Sequence, residues 1–429
     1  MDLLNGRIKT VYYKYLAAAF GSTLIPSVYS VVDMAMVGKY HGPNGPAALA
    51  VFAPIWNILY GLGLLAGIGG SVLFSNMRGS GKENTKKSNE IFTSTIILGI
   101  VFSILIWGIL ICFHPELLRL FGADSITLPM AQSYLKPILF VAPLFLFNQL
   151  LAAFLRNDGN PILATSAVFA GGIFNVFGDY FFVFPLNMGI FGAGLATATG
   201  GMITFLIMLT HFISRKNTMQ IIKPTCCLQN ISNIIRIGFS TCIVDFAAGM
   251  LTVLFNRQIM KYFGTDALSI YGIIVNISTF VLCCAYSVGQ AAQPIISMNY
   301  GAHHSKRVRE CMKYAVYTAG CFGVFWTMLS VLFPNMYVHI FMAPTESVLQ
   351  IAPMIIRAYG LSFLLLPLNI FSTYFFQSIL QPKISLIVSL LRGVVISGIL
   401  ILVLPVLAGI NALWYSMLIS ELFVALYLS

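Results

Sequence analysis

Along this chain apolar residues come in long unbroken blocks, not in the alternation of a half-buried strand or the single stripe of a surface helix. A helix crosses a bilayer with roughly 20 apolar residues, and twelve runs reach that length: 11–37, 46–74, 91–113, 129–155, 161–184, 189–213, 231–262, 266–298, 311–333, 350–378, 383–404 and 409–429. The pattern predicts twelve spanning helices joined by short polar segments, with almost nothing left over for a soluble domain. The first run continues well past Ala17-Ala18-Ala19, so it reads as a retained helix and not a cleaved signal.

Composition agrees with the pattern. The chain is 58% hydrophobic and 9% charged, with a mean hydropathy of +0.88, far from soluble globular proteins. A net charge of +11 would suggest nucleic acid in a soluble protein. Here the cations collect in alternate loops: Arg7, Lys9 and Lys14; Arg78, Lys82, Lys86 and Lys87; Arg215, Lys216 and Lys223; Lys306, Arg307, Arg309 and Lys313. The opposite loops hold only Lys39, Arg119 and Lys261. By the positive-inside rule both termini of a multi-pass membrane protein face the cytoplasm. Lipid, not nucleic acid, is the expected surroundings.

The eight cysteines show no CxxC or Cys/His ligand spacing, and Cys226-Cys227 and Cys283-Cys284 are adjacent pairs that ordinary disulfide geometry disfavours. They read as packing residues, and no bound cofactor is expected.

A weak internal copy runs through the chain. Asn57 and Asn276, and Gly70 and Gly289, are 219 apart; Lys136 and Arg357, Asn148 and Asn369, and Pro161 and Pro382 are 221 apart; Pro185 and Pro405, and Gly189 and Gly409, are 220 apart. Each half then holds six spans, and an even number gives both halves the same orientation, related by a pseudo-two-fold axis along the membrane normal. The expected fold is all-α and membrane-integral, with two six-helix lobes facing each other across a cleft: 1–215, a cytoplasmic linker at 216–230, and 231–429. Asn57, Asn148, Asn276 and Asn369 are candidate cleft residues.

An ionisable group inside the membrane is costly enough to be a functional candidate. Those that qualify are Asp33, Asp179 and Asp245, with Lys136, Arg257, Arg357, Arg392 and Glu421 nearer the run ends. Asp33 lies five residues before Gly38 and Asp179 five before Phe184, each about 7 Å below the outer end of its run at 1.5 Å per residue. Asn175 is one turn before Asp179 on the same helix face, and Thr197 reaches a similar level on the returning sixth run. Two carboxylates, an amide oxygen and a hydroxyl can therefore converge in the outer half of the first lobe. That set suits Na⁺, which prefers oxygen ligands, and equally a proton, which neighbouring acids can share. Pro26, two turns before Asp33, removes a helix hydrogen bond and is the candidate hinge. Asp245, early in run seven, either lines the cleft or pairs with Arg236. The repeat carries Asp33 onto Thr252 and Asp179 onto Ile399, so the acid pair belongs to one lobe only.

The stretches SVVDMAMVGKY with AALA, RNDGNP, NVFGDYFFVF leading to GIFGAGLATATG, GTDALSIYGIIVNIS, and GQAAQPIISMNYGAHHSKRVRE resemble the multidrug and toxic compound extrusion (MATE) family. The last is similar to the pattern of the bacterial subfamily around the staphylococcal drug pump, and the resemblance covers essentially the whole chain. It implies a monomeric antiporter of the bacterial inner membrane, not an enzyme, that is driven by H⁺ or Na⁺ and exports bulky, often cationic drugs by alternating access. The family's cation-binding set falls on Asp33, Asn175, Asp179 and Thr197. Some members also carry a Glu on the seventh helix and an Asp on the tenth; here Asp245 matches only approximately and run ten has no acid, so the resemblance stops short of a second-lobe ion site. The other reading is a flippase for lipid-linked sugars, which would line the cleft with cations for pyrophosphate; Lys136, Arg357 and Arg392 are the candidates. No HExxH or Ser/His/Asp set supports an enzyme.

Overall fold

Inside a bilayer each backbone N–H and C=O must find its partner within the protein, and a chain of long apolar runs meets that condition as helices. The structure, a computed structural model, describes residues 2–42, 44–341 and 345–428, except for the side chains of Lys82 and Asp245. The twelve predicted spans are present among them. The first six are α1 (Ile8–His41), α2 (Asn44–Gly79), α3 (Thr85–Leu120), α4 (Thr127–Asn157), α5 (Pro161–Val183) and α6 (Gly189–Leu209), the last running on as a 3₁₀ turn to Ile213. The next three are α7 (Cys227–Tyr262), α8 (Thr265–Gly301) and α9 (Ser305–Leu332), followed by a short helix, α10 (Pro334–Phe341).

The last three spans are interrupted. Span ten is α11 (Glu346–Gly360), a 3₁₀ turn and α12 (Leu366–Ser378), broken where Pro367 enters the first turn of α12. Span eleven is α13 (Pro382–Leu390), a π turn at Leu391–Val395 and α14 (Ile396–Leu407). Span twelve opens with a 3₁₀ turn at Ile410–Tyr415 and continues as α15 (Ser416–Leu428). Several helices extend beyond their apolar runs, α3 by seven residues past Phe113 and across Pro115, because helix ends project into the headgroup region with polar residues on them.

The first lobe is knit by α5 on α6, and by α4 on both α2 and α6; the second by α8 on α9 and α12, and by α13 on α7 and α12. Between lobes, α1 lies on α8, and α2 on α7 and α8. The interlobe approach is close enough that a Cβ on Gly238 of α7 would stand 1.9 Å from the Leu65 carbonyl oxygen of α2, and one on Gly301 of α8 would stand 2.0 Å from the Asn76 carbonyl oxygen.

The lobes are bonded from one end to about the middle of α1, where Thr23 meets Ser287 of α8 at 2.9 Å and Ser27 meets Cys283 at 3.3 Å. Asn157 and Gln293 exchange amide hydrogen bonds of 3.0 and 3.1 Å, and Ser75 donates to Asn157 Oδ1 at 2.5 Å. Asn76 donates to the Ser378 carbonyl at 3.1 Å, Tyr12 meets Thr318, and Arg307 donates to the carbonyl of Gly6 at 2.8 Å. The contacts other than those of Thr23 and Ser27 lie at the end that carries the N-terminus and the basic loops. Among the described residues no interlobe side-chain hydrogen bond is found at the opposite end, where α1 finishes and α8 begins.

RNDGNP forms the α4–α5 turn at the bonded end. Asp158 accepts from the Thr218 backbone N–H at 3.0 Å and contacts His211 Nε2 at 2.7 Å, which ties the segment after α6 to the first lobe.

Candidate functional site

The glycine-rich α6 sequence GIFGAGLATATG determines how the site is assembled. A Cβ on Gly200 would stand 2.7 Å from the Gly171 carbonyl oxygen of α5, and one on Gly192 would stand 2.8 Å from the Phe182 carbonyl carbon. Side chains there would push the helices apart; without them α5 and α6 approach until Asn175 reaches Thr197. The Asn175 amide donates to Thr197 Oγ1 at 3.1 Å, and the Thr197 hydroxyl donates to Asp33 Oδ2 at 3.1 Å. Tyr134 of α4 also donates to Asp33 Oδ2, at 3.2 Å, and lies 3.3 Å from Thr197 Oγ1. The Asp179 carboxyl stands beside that of Asp33. All five side chains are buried, Asp179 completely.

The donors fall short of the acceptors. Asp33 Oδ1, Asn175 Oδ1 and both carboxylate oxygens of Asp179 are buried with no hydrogen-bond partner. No cationic side chain pairs with either acid among the described residues. An unpaired buried carboxylate is among the costliest arrangements a protein can hold, and four orphan oxygens on three neighbouring buried side chains fit a small hard cation or shared protons. Groups of three or more His, Cys, Asp or Glu, as a transition metal would require, do not occur among the described residues.

The structure thus brings Asp33, Asn175, Asp179 and Thr197 together and adds Tyr134. A tyrosine in an apolar run reads as packing, but Tyr134 lies five residues into run four, at the depth of Asp33, and that arithmetic could have found it. Pro26 lies within α1, which continues unbroken through it. Asp245 lies on α7, with its side chain outside the described residues.

The four asparagines divide into two kinds. Asn57 and Asn276 are exposed in mid-helix on α2 and α8. Asn148 and Asn369 are instead buried in their own lobes, a packing position in place of the cleft-lining one expected. Asn148 donates to the Gly201 carbonyl at 3.0 Å and Asn369 to the Glu421 carbonyl at 2.9 Å, the same bond made twice, about 220 residues apart.

Where the first lobe has Gly201, the second has an acid. Glu421, fully buried, binds Arg392 Nε at 2.7 Å and Asn369 Nδ2 at 2.6 Å. The π turn of span eleven carries Arg392, and π turns recur at sites where a side chain must be re-aimed.

Twelve spans, two lobes built on one repeat and an enclosed polar site in the first lobe define a membrane transporter rather than an enzyme. A single family model, MatE, matches residues 18–181 and again 237–403, its starts separated by 237 − 18 = 219 residues. The chain belongs to the MatE family. It is 23% identical over 408 residues to the multidrug export protein MepA of Staphylococcus aureus (strain MRSA252), covering 94% of this chain and 89% of that protein. Its fold matches the outward-facing conformation of a multidrug resistance MATE family transporter of the MOP superfamily, with a TM-score of 0.90 at 19% identity over 99% of this chain and 95% of that one. It also matches a mutant of the Vibrio cholerae MATE transporter VcmN, with a TM-score of 0.89 at 18% identity over 98% and 95% of the two chains.

Proposed function

We propose that this protein is a cation-coupled multidrug exporter of the bacterial inner membrane. H⁺ or Na⁺ enters from outside to the Asp33–Asp179 pair and drives the exit of bulky, often cationic compounds. The observation that carries this reading is the set of four buried, unpartnered oxygens on Asp33, Asn175 and Asp179, since antiport needs a site that a cation can occupy and leave. Asn175, Thr197 and Tyr134 hold Asp33 Oδ2 in place, so Oδ1 and the Asp179 carboxylate stay directed at the incoming ion.

The lobes 1–215 and 231–429 move as units about 216–230, whose last residues already belong to α7. With the termini cytoplasmic, the bonded end is the closed inner side and the cleft opens outward. A cation bound between the acids removes their charge and lowers the affinity for a cationic drug. Loss of that cation inside the cell restores it, because two ligands are exchanged only when each prefers a different state. Pro26 leaves the Ser22 carbonyl without its helical donor and gives α1 a place to bend as the charge changes. Asn57 and Asn276, polar and exposed in mid-helix, belong on the cleft wall rather than against lipid, and one chain suffices for the cycle.

The test is efflux of a fluorescent cationic dye from pump-deficient bacteria expressing wild type, Asp33→Asn or Asp179→Asn, with and without Na⁺. Wild-type export that is lost in either variant is expected, and its Na⁺ dependence separates the two ions. Equal export by wild type and both variants would falsify the coupling role.

A further inference from the structure

A second site lies on the outer wall of the first lobe. Between α3, α4 and α6 the surface is hollowed into a groove of about 650 Å³. Its lining is apolar except for Lys136 and Thr199, and Thr199 donates its hydroxyl to the Leu195 carbonyl. Trp107 and Ile111 of α3 form one wall and Phe191 and Met202 of α6 the other. The eleven steps from Phe191 to Met202 extend the groove about 16 Å along the membrane normal at 1.5 Å per residue.

The groove is built into α4 by its prolines. Pro143 has no N–H to give the Leu139 carbonyl, and Trp107 Nε1 donates to that oxygen instead, at 2.7 Å, fixing the indole as a wall. Pro137 lines the groove beside Lys136. The Lys136 ammonium has no ion pair or hydrogen bond among the described residues. A lysine in an apolar wall at this depth is retained at a cost.

From this we infer that the groove is a binding site for one anionic phospholipid of the outer leaflet, its phosphate on Lys136 and an acyl chain against Trp107, Ile111, Phe191 and Met202. The single unpaired cation in an apolar, elongated hollow complements that ligand in charge and in shape. The site is also placed to bear on transport. Tyr134 and Lys136 are two residues apart on α4 and so face nearly opposite directions: Tyr134 bonds Asp33 while Lys136 enters the groove. Thr197 and Thr199 divide α6 in the same way. A bound lipid rests on the back of the wall that carries the Asp33 site.

The experiment uses Trp107 as the reporter. Purified full-length protein in detergent is titrated with phosphatidylglycerol or phosphatidylcholine bearing brominated acyl chains, and the Trp107 signal is obtained by difference from Trp107→Phe. Wild type is expected to be half-quenched at about one fifth as much brominated phosphatidylglycerol as phosphatidylcholine, the ~1 kcal/mol that one basic residue contributes toward an anionic lipid. Lys136→Met reduces the preference to about onefold, and Lys136→Arg keeps it. Equal quenching by the two lipids in wild type overturns the assignment, and so does a preference that survives in Lys136→Met. Displacement of bromolipid by a cationic dye overturns it too, because the groove would then be a path for the dye. None of these readouts requires transport, so the outcome is independent of the coupling reading.

Discussion

The buried pair of Arg392 and Glu421 gives the sharpest energetic forecast. Glu421 is fully enclosed, and its two oxygens are taken by Arg392 at 2.7 Å and Asn369 at 2.6 Å. In Glu421→Met a guanidinium that cannot shed its proton is left without its counter-charge, a loss of about 3–5 kcal/mol. Asn369 also loses one of its two acceptors, about 1 kcal/mol more. Arg392→Met is milder, about 1–3 kcal/mol, because Glu421 keeps the hydrogen bond it accepts from Asn369. In the double variant two apolar side chains of similar length replace the pair, and the net change is expected near zero apart from the Asn369 bond. At about 2 °C per kcal/mol for a large chain, fluorescence-detected melting of the detergent-solubilised protein should fall by roughly 8–12 °C for Glu421→Met. The double variant should return to within about 2 °C of wild type. The reasoning is refuted if Glu421→Met melts with wild type, or if the double variant loses the sum of the single losses, since either result means that the two charges do not compensate each other.

Two further outcomes follow from the same geometry. Tyr134→Phe removes from the Asp33 carboxylate one donor of about 1 kcal/mol that stabilises it without its ion, so dye efflux should persist with the half-saturating concentration of coupling ion lowered about fivefold; complete loss, as expected for Asp33→Asn, would make Tyr134 part of the essential chemistry. Asn157→Ala with Gln293→Ala removes the reciprocal amide pair, about 2 kcal/mol, and should shift the lobes toward the inward-open state about thirtyfold; spin-label distances across the bonded end that match wild type would show that the pair does not hold that end closed.

Much of this architecture was legible in the chain because the bilayer imposes coarse requirements. Roughly 20 apolar residues per crossing and a duplicated spacing of Asn, Pro and Gly gave twelve spans and two lobes. Depth arithmetic brought four of the five polar site residues to one level. The breaks in spans ten to twelve were not legible, since an apolar run reads alike as an α, 3₁₀ or π turn. Nor was the role of Asn148 and Asn369, whose matched spacing marks a shared position without saying which way the side chain turns.

The same limit concealed the contrast between the lobes. At the place where Gly201 lets α6 close on Phe145 in the first lobe, the second has Glu421, and Arg392 stands across from it near the position equivalent to Gly171 and Gly172. One lobe fills this contact with glycine and the other with an ion pair. The consequence concerns where a cation can be exchanged. Glu421 already holds a cation on a tether, and an ion from solution would have to displace a guanidinium bonded at 2.7 Å. Asp33 and Asp179 hold none, and three of their four oxygens have no partner. In the proposed cycle, charge balance therefore draws the mobile cation to the first lobe and leaves the second as the fixed partner against which the first rearranges.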